Sequence, residues 1–183
     1  VNEASKEDIS FISVMLGDKN IEECNENNVI ANVAWNSLKL SEDDEEKFPE
    51  LKKTFSKLNS DGLKNAKSTM SELTVAAKDL SGDEFNPLYL EGTSKKYVQR
   101  ADTRIVSYLE EFFVYSGGVH PDYYYHTSNL DPKTGKKLIL TDVISGIKGL
   151  PDILESEIVN KYDYLSFEEN QLWTIFKEYS PDD

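Results

Sequence analysis

The residues of this chain best suited to chemistry lie in one segment, YSGGVHPDYYYHTSNLDPKTGKKLILTDVI, at positions 115–144. His120, Asp122 and His126 supply the two imidazoles and one carboxylate of a common metal-ligand set, and Ser116 is a nearby serine. Such a set would support metal-assisted hydrolysis or acid–base chemistry at a histidine. The spacing of these residues decides whether they can meet.

That spacing argues against a compact catalytic centre. In an extended strand, alternate residues share one face but lie about 7 Å apart. Asp122 and His126 therefore cannot enclose an ion or a substrate without folding back, and His120 has no fixed partner. We expect the His120 ring to hydrogen-bond backbone groups and to fix the turn. The sequence thus predicts no catalytic residue, no metal ligand and no cofactor.

The histidine lies in a corner between two predicted strands. Gly117 and Gly118 supply the positive φ or the close backbone approach that a chain reversal needs. Pro121 restricts His120 to an extended conformation as the chain enters the next strand. That strand, DYYYHTSNL at 122–130, alternates its side chains between two faces and should pair with its predecessor.

Tyr123, Tyr124 and Tyr125 occupy successive positions of this strand. Tyrosine is typical of a half-buried strand, in which the ring packs and the hydroxyl reaches water. At least one of the three must point outward, because neighbouring strand residues alternate. Exposed tyrosine is also favoured at recognition surfaces for proteins and sugars. Both interpretations stay open from the sequence.

After this strand the sequence contains signals for a turn and for the start of a short helix. DPKTGKK at 131–137 predicts a turn in which Pro132 fixes φ near about -65° and Gly135 takes a left-handed conformation. Thr141 is the expected N-cap of a short helix that begins near Asp142.

Upstream, hydrophobic periodicity predicts a strand and then a long helix. VIANVAWNSLKL at 29–40 alternates apolar and polar residues, which is typical of a half-buried strand. The acidic run that follows is interpreted as a loop feeding a helix over 47–80, with Pro49 in its first turn and a kink allowed at Gly62. The apolar stripe of this helix resembles a coiled-coil face, but its alanine and methionine content favours packing on the chain's own sheet.

These elements predict an α+β fold: an antiparallel β-sheet packed against a long helix, with further short C-terminal helices, one of them over 165–179. Alternation in SKKYVQRADTRIVSYLEEFFVYSGG predicts strands over 94–101 and 103–115. We expect two closely packed subdomains. Residues 1–90 form an α/β unit with the long helix, and residues 91–183 form an antiparallel-sheet unit with the Gly-Gly-x-His-Pro motif.

Charge and composition limit the classes of partner that the chain can bind. The chain has 183 residues and a formal net charge of -14, so it repels phosphate backbones and anionic membranes. Nucleic acid is therefore excluded as a partner, whereas a basic protein would be attracted. Cys24 is the sole cysteine, which rules out an internal disulfide. No apolar run approaches the length of a membrane span.

The ordered motifs of 115–144 resemble a bacterial extracytoplasmic domain family. In that family Gly-Gly-Ala-His-Pro is followed by Asn-Phe-Asp, Thr-Gly-Lys and Leu-Asp-Leu-Phe, downstream of a strand and helix similar to VIANVAW and FPELKKTFSKLN. The resemblance covers most of residues 27–160. The matching positions are Gly117, Gly118, His120, Pro121, Asn129, Leu130, Asp131, Thr134, Gly135, Lys136, Leu138, Leu140, Thr141 and Asp142.

Members of this family are found in lysozyme-sensing anti-sigma factors, ahead of the catalytic domain of peptidoglycan deacetylases, and in uncharacterised surface lipoproteins. The resemblance implies an acidic, non-catalytic recognition or accessory domain of a bacterial cell-surface protein, extracytoplasmic or secreted. It would reach the membrane only through an anchor that this chain does not contain. Because the family continues into further strands, the sheet here is expected to lack its last strand or two.

The implied ligand is a lysozyme-like protein or a cell-wall glycan. The alternative is the accessory part of a peptidoglycan-modifying, deacetylase-type enzyme. The oligomeric state is left open. The candidate binding residues are Gly117, Gly118, His120, Pro121, Asp122, Tyr123, Tyr124 and Tyr125.

Overall fold

The computed structural model describes residues 9–84, 86–143, 153 and 156–157. Over these residues the strands form a five-stranded sheet in the order β1-β2-β3-β4-β5. The strands are β1 (Val14–Cys24), β2 (Val29–Leu40), β3 (Leu88–Ala101), β4 (Val106–Tyr115) and β5 (Asp122–Leu130). The helices are α1 (Glu42–Lys47), α2 (Pro49–Ala76), which ends in a 3-10 turn at Ala77–Asp79, and α3 (Leu140–Val143).

The sheet is antiparallel except where β2 and β3 run parallel. A parallel pair needs a crossover connection, and α1 and α2 provide it. The crossover lays α2 chiefly along β2 and to a lesser extent on β3. The predicted α+β class, with a mostly antiparallel sheet and a long helix, is confirmed.

Two hydrophobic cores lie between α2 and the sheet. The first contains the odd-numbered residues of β2 up to Trp35, packed on the second half of α2 at Ala66, Met70 and Leu73. The second contains Leu38 and Leu40 of β2, packed on the start of α2 together with residues of β4 and β5. The inward positions of β2 therefore change from odd to even numbers between Trp35 and Leu38.

Asn36 lies at this change and holds β2 to β3. The backbone pairing of the two strands ends at Trp35 and Ser94. Beyond that point the Asn36 amide donates to the Lys96 carbonyl at 2.9 Å and accepts from the Lys96 N–H at 2.8 Å. Asn59 of α2 makes the same double contact with the backbone of Leu38, at 2.8 and 2.9 Å. Each side-chain amide takes the place of the peptide group that a neighbouring strand would provide in a regular β-sheet.

Most of the sequence predictions for these elements are confirmed. The strand over 29–40 and the long helix form nearly as expected, and α2 is continuous through Gly62. The strand expected from residue 94 begins earlier, at Leu88, because residues 88–94 pair with β2. β1 was not predicted.

Two local predictions are wrong. The acidic run is not a loop but helix α1, because Ser41 caps it through the Asp44 N–H and its first turn carries four acidic residues that favour the positive end of the helix dipole. Thr141 is not an N-cap, because α3 already includes it. The helix predicted over 165–179 lies outside the described residues.

The chain divides into two compact units, Val1–Leu138 and Ile139–Asp183. The five strands and α2 belong to the first, and α3 belongs to the second. The subdomain division expected at residue 90 stays a prediction. Over the described residues, no helix is long and apolar enough to cross a bilayer.

Replacing Asn36 by alanine is expected to lower the free energy of unfolding by about 2 to 4 kcal/mol, because the buried N–H and carbonyl of Lys96 lose their partner. Urea unfolding followed by circular dichroism measures the loss. Asn32→Ala on the same strand is the control. The Asn32 side-chain oxygen is buried without a hydrogen-bond partner in the described part of the chain, so its removal should cost less than about 1 kcal/mol. Equal losses would contradict this role for Asn36.

Candidate functional site

The corner between β4 and β5 requires glycine at its first position. Gly117 has a φ of 90°, a conformation that side-chain-bearing residues rarely adopt. A Cβ atom there would lie 2.7 Å from a methyl of Leu80 and 3.4 Å from one of Leu90. A Cβ atom at Gly118 would lie 4.0 Å from the His120 carbonyl oxygen, which is an ordinary contact distance. The predicted left-handed reversal is therefore confirmed at Gly117, and the same holds for Gly135, with a φ of 67° in the next turn.

The candidate catalytic side chains are not brought together. His120, Pro121 and Asp122 are all exposed in the corner. Within the described ranges the His120 ring makes no hydrogen bond, so the predicted contact with the turn backbone is wrong. His126 lies farther along β5, where its ring nitrogen is 3.5 Å from the Lys137 ammonium. No group of three potential metal-ligating side chains forms among the described residues.

The three consecutive tyrosines separate onto two surfaces. Tyr124 pairs with Phe112 on the face of the sheet that α2 covers, whereas Tyr123 and Tyr125 pair with Phe113 and Glu111 on the opposite face. The three side chains are 50 to 55% exposed. The single candidate binding segment predicted from the sequence is thus divided between two surfaces, one on each side of the sheet.

The first site is the outer tyrosine surface, formed by Phe113, Tyr123 and Tyr125. The Tyr125 hydroxyl donates to the Tyr123 hydroxyl at 2.7 Å, and the two rings meet edge to face at 5.0 Å. Phe113 supports Tyr123 in a second edge contact at 6.3 Å. This hydrogen bond, then partial burial and the Glu111 carboxylate, raise the pKa of Tyr123. The shift widens, on the alkaline side, the pH range over which the Tyr123 hydroxyl stays neutral.

The second site is the helix groove, a cavity of about 250 Å³ between α2 and the sheet. It forms because α2 follows β2 while the sheet continues to β4 and β5 beyond the helix. Gly92 brings the two layers together, since a Cβ there would lie 2.7 Å from a methyl of Thr69. The lining residues are Val33, Trp35, Gly62, Asn65, Ala66, Ser68, Thr69, Glu72, Gly92, Thr93, Ser94, Phe112, Val114 and Tyr124.

Aromatic rings line one side of the helix groove. Phe112 and Tyr124 stack nearly parallel, with ring centroids 4.6 Å apart and planes 13° from parallel. Trp35 lines the groove from β2. These residues were absent from the sequence candidates, except Tyr124. The sequence could have predicted the Phe112–Tyr124 pair if the hairpin was assumed to be symmetric about Gly118. The structure has this symmetry, since Val114 and Asp122 each lie four positions from Gly118 and are paired.

A buried ion pair joins β3 and β4 next to the helix groove. The Lys96 ammonium lies 2.6 Å from a Glu110 carboxylate oxygen, and the Ser94 hydroxyl donates to the same oxygen at 2.7 Å. The Lys96 side chain is 4% exposed. Its charge is therefore neutralised inside the protein and is committed to Glu110.

Comparison with known proteins identifies a shared fold. No protein-family model matches the chain, and no curated protein matches it. Solved structures do match. A DUF3298 family member from Bacteroides fragilis NCTC 9343 has a TM-score of 0.60 at 14% identity, over 85% of this chain and 70% of that one. A DUF3298 family protein from Pseudomonas aeruginosa PAO1 has a TM-score of 0.49 at 14% identity, over 94% of this chain and 75% of that one.

The first of these structures shares its fold with this chain. DUF3298 proteins are uncharacterised bacterial domains. That agrees with the resemblance of the corner motifs to a family of bacterial domains. The finer associations, with anti-sigma factors and deacetylases, stay proposals.

Replacing Gly117 by alanine is expected to destabilise the protein by about 1 to 3 kcal/mol, because alanine is strained at positive φ and meets Leu80. Gly118→Ala is the matched control, with a loss below about 0.5 kcal/mol. Thermal unfolding of the two variants measures the difference. An equal response at both positions would contradict the assignment of the left-handed corner to Gly117.

Proposed function

We propose that this chain is a non-catalytic recognition domain of a bacterial extracytoplasmic protein, and that the outer tyrosine surface binds a basic, lysozyme-like protein. The observation that carries the proposal is the pair of exposed, mutually hydrogen-bonded rings of Tyr123 and Tyr125. They project from a strand of a sheet rather than from a loose loop.

The tyrosine pair is preorganised for protein contact. Tyrosine offers a large apolar ring and a polar tip, and it is enriched where proteins bind each other. The hydroxyl hydrogen bond and the edge contact with Phe113 hold both rings before any partner arrives. Little side-chain entropy is then lost on binding, so more of the contact energy appears as affinity.

Charge favours a cationic partner. The net charge of -14 would attract a basic protein at long range and accelerate its encounter with the domain. Glu111 lies across the strand pair from Tyr125, which adds a carboxylate to the outer tyrosine surface. The resemblance of the corner motifs to lysozyme-sensing proteins supports the same class of ligand.

A cell-wall glycan is the second candidate ligand, and the aromatic lining of the helix groove favours it. Both ligands fit an extracytoplasmic location. In the deacetylase-type alternative the same surfaces would serve as the accessory part of an enzyme, and the catalytic groups would come from another domain.

Replacing Tyr125 by alanine is expected to weaken binding of a basic lysozyme about tenfold or more, since truncating a central tyrosine removes a binding hot spot. Isothermal titration calorimetry of the full chain measures the change. Tyr124→Ala, on the other face of the sheet, should leave lysozyme affinity within about twofold, as expected of a residue outside the interface.

A charge control separates recognition from simple attraction. Cytochrome c, a basic protein of unrelated fold, should bind more weakly than lysozyme and lose its binding as salt is raised. If lysozyme does not bind, or if cytochrome c binds equally well, the proposed protein ligand is wrong.

A further inference from the structure

We infer that the helix groove binds a neutral pyranose ring of an oligosaccharide, with Phe112 and Tyr124 as the stacking platform and Asn65 and Thr69 as hydrogen-bonding groups. The inference rests on the glycan half of the proposed function, to which it adds a site and a chemical class. It is independent of the protein ligand, because the outer tyrosine surface lies on the other side of the sheet.

The aromatic lining suits the flat apolar side of a sugar ring. Phe112 and Tyr124 stack on each other across β4 and β5, so each ring has only its outer face left for a ligand. The Tyr124 side chain is 55% exposed. The faces of aromatic rings carry partial negative charge and attract weakly positive C–H groups. A pyranose ring presents such C–H groups on one side and hydroxyls around its edge, so it can stack and form hydrogen bonds at once.

The wall that α2 provides carries polar groups that the fold leaves unused. Neither the Asn65 amide nor the Thr69 hydroxyl forms a side-chain hydrogen bond over the described residues, although both line the groove. Ser68 donates to the Glu72 carboxylate at 3.3 Å, a long bond that leaves acceptor capacity on Glu72. Together these groups offer donors and acceptors to a ring of hydroxyls.

The charges of the groove select a neutral ligand. Its lining contains one carboxylate, Glu72, and no cationic side chain. Lys96, two residues beyond the lining residue Ser94, is committed to Glu110. Phosphate and uronic-acid ligands would therefore meet no positive charge and a net charge of -14. A purely apolar ligand would leave Asn65 and Thr69 covered without partners, which costs free energy.

The size of the groove fits a ring rather than a folded polymer. Its volume of about 250 Å³ is below the range of about 300 to 1,000 Å³ that is typical of sites for drug-sized molecules. A single ring can enter, and the neighbouring units of a chain would lie outside the groove.

The test is titration of the isotope-labelled full chain with a panel of probes, followed by NMR and calorimetry. The panel contains three neutral trisaccharides (tri-N-acetylchitotriose, cellotriose and maltotriose), the acidic trigalacturonate, and adenosine as a flat aromatic ligand. At least one neutral trisaccharide should shift the amide signals of Asn65, Thr69 and Phe112, while trigalacturonate should not.

Matched variants locate the binding. Tyr124→Ala should weaken binding of the neutral trisaccharide about tenfold or more, because the stacking face is lost. Asn65→Ala should weaken it about three- to tenfold, the worth of one hydrogen bond. Tyr97→Ala, at an exposed tyrosine outside the lining of the groove, should leave it within about twofold.

Three results would overturn the inference: no shift with any neutral trisaccharide, tighter binding of trigalacturonate or adenosine than of the trisaccharides, or an unchanged affinity in Tyr124→Ala. In the last case a saccharide binds elsewhere, so the glycan function survives while this site is wrong. Failure of lysozyme to bind has no bearing on these measurements.

Discussion

The contact between the Asn36 side chain and the backbone of Lys96 is the constraint on which the rest of the molecule depends. At this point β2 and β3 stop pairing through their backbones, and the inward positions of β2 change parity between the two cores. A buried strand that leaves its neighbour would expose an N–H and a carbonyl without partners. One side-chain amide satisfies both, and Asn59 repeats the solution at Leu38.

The two candidate surfaces follow from this arrangement. Because α2 is the crossover between β2 and β3, it lies chiefly over β2. Its start also packs on Val106, Tyr108 and Leu130 of β4 and β5, but farther along these strands Tyr124 is left exposed. The side of these strands that faces the helix becomes the wall of a groove, and the opposite side faces solvent. Successive residues of β5 point to opposite faces of the sheet, so they alternate between the groove and solvent. Tyr124 therefore lines the groove, while Tyr123 and Tyr125 form an outward surface.

Local signals in the sequence were reliable where the backbone itself imposes them. Gly117 and Gly135 have the left-handed φ values that their turns demand, and DYYYHTSNL forms a strand paired with its predecessor. The apolar stripe of α2 was also expected to pack on the sheet, and its buried residues include Phe55 and Met70. β1 could not be predicted from hydrophobic periodicity because it has no fully buried side chain between Val14 and Cys24.

The sequence by itself therefore determined the class of fold, the glycine corner and the alternation of the tyrosines, since periodicity and φ preference act within a few residues. Only the tertiary structure decided which face of β5 meets the helix and which faces solvent. It also decided that Phe112 stacks on Tyr124 and that Lys96 is neutralised by Glu110. These contacts join residues of different strands or layers, and their register depends on packing across the whole sheet rather than on local preference.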